Sequence, residues 1–174
     1  MPRNLELKAR YPSLRNAARI ARALGARNKE ALRQTDTYFA SAAGRRLKLR
    51  EIAGQTAELI SYRRPNRQGS RFSDYEKLAV RQASNVRAML ASALGIVCVV
   101  KKSRVVYIYH GARIHLDRVR GVGTYLEFEV PVGRNRDRAN RLMRELVRRF
   151  RISRDSFVGS SYSDLLLTTR KGKR

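Results

Sequence analysis

Apolar and polar residues alternate along much of this chain, most strictly from Tyr125 to Val130. Tyr125, Glu127 and Glu129 fall on one side and Leu126, Phe128 and Val130 on the other, the period of two that a strand requires. Arg113 to Asp117 repeats the pattern, with Arg113, His115 and Asp117 opposite Ile114 and Leu116. Residues 4–11 read the same way: Leu5, Leu7, Ala9 and Tyr11 face one side, and Asn4, Glu6, Lys8 and Arg10 the other. Further strands are predicted over 34–39, 46–52, 57–64, 73–80 and 96–109, the last bent, with His110 and Gly111 turning the chain back.

Elsewhere the period lengthens to that of a helix. Ser13 caps a segment running to about Leu24, with Leu14, Ala17, Ala18 and Ala21 as its apolar stripe and Gly25 as its end. Ser84 starts a second helix, striped by Val86, Met89, Leu90, Ala93 and Leu94 and ended by Gly95. After the break at Pro131 to Gly133 comes a third, carrying Ala139, Leu142, Met143, Leu146, Val147 and Phe150; SYSDLLL suits a short closing helix. About eight strands joined mostly by short loops predict a largely antiparallel sheet in one domain spanning 1–174.

Composition sharpens this picture. The chain holds 39 Lys and Arg against 14 Asp and Glu, a net charge of +25, which implies attraction to polyanions such as nucleic acid, nucleotides or polyphosphate. The excess is spread through helices, loops and the tail, so by itself it singles out no partner. No apolar run is long enough for a membrane span and no signal peptide opens the chain, so a soluble cytoplasmic protein is expected. Cys98, the single cysteine, lies in the apolar run IVCVV and is expected to be a buried thiol.

Strand after strand places long charged side chains on one face: Glu6 and Lys8, Lys48 and Arg50, Arg64, Lys102 and Arg104, Arg113 and Asp117, Glu127 and Glu129. An open sheet would leave these in solvent and hide its apolar face under the helices. A closed barrel would turn them into a wet lumen, which is tolerable only if water, metal and an anionic ligand satisfy them. Carboxylates gathered at this spacing suit a hard divalent cation, while a polar sheet face looking at water would read the same.

Taken in order, LELKAR, QTDTYF, GRRLKLRE, ELISYRRP, SDYEK, VVKKSRVVY, RIHLDRV and GTYLEFEV resemble the CYTH superfamily, the triphosphate tunnel metalloenzymes, from Asn4 to about Leu167. QTDTYF followed by LKLRE, LISYRR and SDY is most similar to the class IV adenylate cyclase branch. The resemblance implies an α+β fold, an eight-stranded antiparallel β-barrel or tunnel with helices packed on its outside. It also implies Mg²⁺ or Mn²⁺ as cofactor and a nucleoside triphosphate or inorganic tripolyphosphate as substrate. Position by position, Glu6, Asp117, Glu127 and Glu129 match metal ligands, and Lys8, Lys48, Arg50, Arg64, Lys102, Arg104 and Arg113 match the bases that grip phosphate.

Lys102 is the candidate catalytic residue, to orient or deprotonate the nucleophile. His115 is assigned to the tunnel wall, and Tyr38 either touches substrate or packs. The family signature Glu-x-Glu-x-Lys reads Asn4-Leu5-Glu6-Leu7-Lys8 here, so a second metal site at its first position would be weakened. ELISY lacks the lysine expected of thiamine triphosphatases. The activities implied are conversion of ATP to cyclic AMP and pyrophosphate, or hydrolysis of an inorganic or organic triphosphate, by a monomer or homodimer. The competing class is a non-catalytic basic protein that holds nucleic acid or polyphosphate, with binding steeply dependent on salt and indifferent to Mg²⁺.

Overall fold

The computed structural model describes residues 3–63, 65–133 and 135–171. The strands are β1 (Arg3–Arg10), β2 (Arg27–Phe39), β3 (Arg45–Ile52), β4 (Ala57–Arg63), β5 (Arg71–Val80), β6 (Ile96–Tyr109), β7 (Ala112–Val119) and β8 (Gly123–Pro131). They close into a barrel in the order β1-β5-β4-β3-β2-β6-β7-β8, and every neighbouring pair is antiparallel. Four α-helices accompany them: α1 (Leu14–Ala23), α2 (Ala83–Leu94), α3 (Arg136–Arg149) and α4 (Tyr162–Lys171). The closed barrel is therefore the arrangement adopted, and the charged face of each strand turns inward.

Local chemistry accounts for most element boundaries. Ser13 accepts a hydrogen bond from the Asn16 amide at the start of α1, and Asn135 does the same for Arg138 at the start of α3. The β6–β7 hairpin turns on His110 and Gly111, both at positive φ, the backbone that a two-residue turn with right-handed strand twist needs. Two boundaries differ from expectation. β2 begins at Arg27 rather than Gln34, because its first half flanks the barrel mouth with water on both sides and so carries no apolar alternation. α2 begins at Ala83 after Gln82, whose side chain makes no capping bond, so Ser84 lies inside the helix. The β2–β6 pairing slips at Val97, where Phe39 pairs with Ile96 and Tyr38 with Cys98.

Three apolar clusters hold the layers together. The largest lies where α1 and α3 cover β1, β7 and β8; Ala17 and Ala21 let α1 approach closely, and Phe128 packs on Phe150 at 5.2 Å between ring centroids. A second packs α2 over Phe39, Leu49, Ala57 and Val80. The third is inside the barrel end: Tyr162 and Leu166 of α4, with Val158, pack on Tyr38, Cys98, Val100, Val119 and Tyr125 and plug that end. Cys98 is thus a buried thiol within this plug.

The strap leading into α4 is pinned to the barrel. The Val158 amide donates to the Lys8 carbonyl at 2.9 Å, and the wholly buried Arg71 donates from Nη1 to the carbonyl oxygens of Arg67, Gly69 and Val158. A Cβ on Gly159 would stand 2.8 Å from the Arg67 carbonyl carbon, with backbone rather than a yielding side chain in the way. Gly159→Ala is expected to cost about 1–3 kcal/mol by forcing strap and loop apart. A denaturation midpoint equal to wild type would show that the approach is not tight.

Candidate functional site

Register builds the site. Because Lys8 pairs with Glu127 and Glu127 with His115, these three inward side chains form one rung across β1, β8 and β7. Glu6, Glu129 and Arg113 form the next rung toward the mouth. On the far wall Asp36 pairs with Arg50 and Tyr38 with Lys48, and on β6 Arg104 pairs with Asp117. The result is a cavity of about 320 Å³ inside the barrel. Its mouth is edged by Lys29, Glu30, Gln55, Glu58 and Lys77.

Two buried acids anchor the cations. On one wall Asp36 accepts from Lys48 Nζ at 2.9 Å and from Arg50 Nε and Nη2 at 2.8 Å each. Burial opposes its ionisation, but Arg50 and Lys48 together hold its carboxyl well below the usual carboxylate range. On the other, fully buried Asp117 accepts from Arg104 Nε at 2.6 Å and from the Tyr162 hydroxyl at 2.8 Å, with Lys102 Nζ at 3.6 Å. Arg104 also reaches Glu127 at 2.8 Å. Tyr162 lies under both lysines of this wall, its ring centroid 3.8 Å from Lys8 Nζ and 5.0 Å from Lys102 Nζ.

Crowding of like charges tunes the two amines. Burial first, then Arg50, pushes Lys48 down to about 7 in spite of Asp36. Burial and then Arg104 bring Lys102 to about 8. Both ammonium groups are therefore easily neutralised, and a bound polyanion would favour their charged forms.

Three ligand-type side chains converge: His115, Glu127 and Glu129 each offer an atom within 4.8 Å of the others. His115 Nδ1 lies 3.9 Å from Glu127 Oε2 and 3.7 Å from Glu129 Oε1, is buried, and has no hydrogen-bond partner. Burial and then Arg104 push its pKa down, leaving a neutral imidazole with a lone pair to offer. A buried, unsatisfied nitrogen facing two carboxylates fits a divalent cation, which would bond to all three. Glu129 is also held by Arg113, at 2.7 Å from Nη2.

The sequence-derived candidates divide accordingly. Lys8, Lys48, Arg50, Lys102, Arg104 and Arg113 all line the cavity, as do Glu6, Glu127 and Glu129; Arg64 lies outside the described residues. Asp117, expected among metal ligands, lies beneath the cavity in the fork of Arg104, outside the converging group. Glu6 neighbours Glu129 across the strands and is likewise outside that group. His115, assigned to the wall, stands inside it. Asp36 was passed over, although its alternation with Gln34 and Tyr38 in QTDTYF already places it on the inward face. Tyr162 carried no signal, since its position depends on where α4 docks.

The CYTH domain profile matches residues 2–162. Among solved structures, the PH1012 protein of Pyrococcus horikoshii superimposes with a TM-score of 0.84 at 20% identity, over 94% of this chain and 99% of that one. A candidate adenylate cyclase of Vibrio parahaemolyticus gives 0.76 at 20% identity, over 94% and 97%. A Hippeastrum protein with a dominant triphosphatase activity gives 0.65 at 19% identity, over 99% and 96%. At these identities the likeness is one of fold. No curated protein matches the sequence, and no described helix is long and apolar enough to cross a membrane.

Proposed function

The chain belongs to the CYTH domain family, and from that premise we propose that it is a divalent-metal-dependent enzyme that hydrolyses a triphosphate held along the barrel lumen. The observation that carries this reading is the presence of two sets in one cavity: paired cations on two walls, and His115 with Glu127 and Glu129 on β7 and β8. Cations alone would suit any anion. Carboxylates among them repel phosphate unless a metal intervenes.

His115, Glu127 and Glu129 would hold the metal, and an imidazole in the set favours Mn²⁺ over Mg²⁺. The bound ion would neutralise phosphate oxygens and polarise the phosphorus under attack. The chain's own residues do the positioning. Arg50 and Arg113 present guanidinium forks to phosphate oxygens, and Lys8 and Lys48 act as point charges. Asp36 fixes Arg50 and Lys48, Glu129 holds Arg113, and Asp117 fixes Arg104 and Lys102 before substrate arrives, so little reorganisation is left for the reaction. Lys102, whose charged form the bound polyanion favours, orients the attacking water, and the water's proton leaves to a phosphate oxygen.

Hydrolysis asks less of the pocket than cyclisation does. Lys77 binds Glu58 at 3.1 Å, and Gln55 and Lys29 lie 3.4 and 3.9 Å from Glu30. These five side chains bond in two groups, while Tyr38, Tyr62, Tyr75 and Tyr162 line the same cavity. A cyclase would have to hold adenine and aim the ribose 3′ oxygen at the α-phosphorus.

Product analysis decides the matter: the purified protein is incubated with Mn²⁺ or Mg²⁺ and either inorganic tripolyphosphate or ATP. Orthophosphate released only with metal supports hydrolysis. Cyclic AMP with pyrophosphate would replace it by the cyclase reading on the same lumen, and inertness toward both would overturn the proposal.

Binding should also move protons. With Lys48 near 7 in the free site, a bound polyanion raises its pKa, so protons are taken up on binding and Lys48's contribution to affinity weakens as pH rises from about 6 to 8.5. Calorimetry with tripolyphosphate in buffers of different ionisation enthalpy should show more uptake for wild type than for Lys48→Met. Equal uptake would remove Lys48 from the site.

A further inference from the structure

The surplus of arginine is segregated on the outside of the barrel. α1 contains no carboxylate, buries Ala17 and Ala21, and exposes Arg15, Arg19 and Arg22 on its opposite side, with Arg19 donating to Asn16 Oδ1 at 2.9 Å and Arg22 to the Tyr107 hydroxyl at 3.3 Å. α3 buries Ala139, Met143 and Leu146 and exposes Arg141, Arg144 and Arg148 opposite them. Each set repeats at i, i+3 or i+4 and i+7, one side chain per helical turn, a stripe with a step of about 5.4 Å. Both helices rest on β8, α1 extending over β7 and α3 over β1, so the two stripes lie on the same side of the barrel. The α2 side is different. Its one helical arginine, Arg87, is bonded to both oxygens of Glu51, and Met89 and Leu94 are exposed around it.

We propose that the two arginine stripes of α1 and α3 form a docking surface for the phosphodiester backbone of a double-stranded nucleic acid, separate from the lumen. Repeated guanidinium groups match a repeated anion better than a single one, and each fork can take two phosphate oxygens. Among the described residues, no carboxylate lies within ion-pair distance of Arg141, Arg144 or Arg148. Glu145, between them, accepts from the Tyr109 hydroxyl at 3.1 Å and lies 3.8 Å from Arg149.

Other occupants fit less well. Neither helix contains an aromatic residue, so the surface offers no platform for the bases of a single strand and no aromatic anchor for a protein partner. The apolar faces of both helices are used up on the barrel, leaving nothing to insert into a lipid surface. Recognition is therefore by backbone charge, without preference for sequence.

The test is fluorescence anisotropy of a labelled DNA duplex of arbitrary sequence, titrated at several salt concentrations. Wild type should bind with a steep salt slope, each neutralised phosphate contributing about 0.9. Arg141→Gln/Arg144→Gln/Arg148→Gln should reduce the slope by roughly 3 and weaken binding at least about tenfold near 0.1 M salt. A charge-matched control, Arg45→Gln/Arg63→Gln/Arg81→Gln, lies on the β3–β5 side and should lose much less. Circular dichroism of both variants should match wild type, since all six positions are exposed and glutamine is a good helix former at the three that lie in α3. Absence of duplex binding at low salt overturns the proposal, as do equal losses in the two variants, which would reduce the effect to net charge. Because the lumen is not involved, a protein inert on every triphosphate would still be expected to bind duplex.

Discussion

Glu129→Gln should abolish metal-dependent turnover, by about 100-fold or more, while leaving the protein folded and its hold on duplex DNA intact or stronger. Glu129 is the cluster member whose charge can be removed with least damage to the barrel. Its partner Arg113 has a side chain 34% exposed, so water can take over that pairing, and a part-exposed ion pair contributes on the order of 1 kcal/mol or less. Glu127 is a poorer test, since Arg104 and Lys8 are buried against it and folding would suffer along with function. Loss of one carboxylate from a three-donor set weakens metal binding and with it the charge neutralisation on which phosphoryl transfer depends. Two readouts separate causes: turnover with Mn²⁺, and the rise in melting temperature that Mn²⁺ alone produces. Both should fall. Turnover that keeps its metal dependence would take Glu129 out of the metal set.

The glutamate belongs to a part of the site that was legible in the sequence, and the reason is geometric. A strand's period of two assigns every inward residue once one is known, so Lys8, Arg50, Arg104 and Glu129 could be placed on one face without knowing their neighbours. Which of them touch is set by register, and register is a property of pairs. His115 shares a face with Asp117, and only its rung with Glu127, beside the rung joining Arg113 to Glu129, brings it together with both carboxylates. Asp117 lies outside that converging group, with Arg104 as its cross-strand partner. Closure itself depends on β1 meeting β8 and β2 meeting β6, pairings between distant segments that leave no local trace. The first half of β2 was missed for a related reason: with water on both sides at the mouth, Asn28, Lys29 and Glu30 have no apolar face to display.

Asp36→Asn should destabilise the protein by about 3–5 kcal/mol, because it leaves Lys48 and Arg50 as buried charges without their counter-ion. For a chain of this length that corresponds to a fall in melting temperature of roughly 10 °C. The shape of the side chain is kept, so the loss is electrostatic rather than a matter of packing, and its pH dependence follows. In wild type Lys48 already titrates near 7; without Asp36 its pKa falls further. At pH 6 the variant must either bury an ammonium without a counter-ion or release its proton, a cost absent at pH 8, where Lys48 is largely neutral in both proteins. The penalty should therefore be larger at pH 6 than at pH 8, the remainder at high pH belonging to Arg50. A polyanion in the lumen should restore part of what the aspartate supplied. Saturating tripolyphosphate is thus expected to raise the variant's melting temperature more than that of wild type. If the penalty is independent of pH and ligand stabilises both proteins equally, Asp36 serves packing alone and the cations of that wall are held in place by something else.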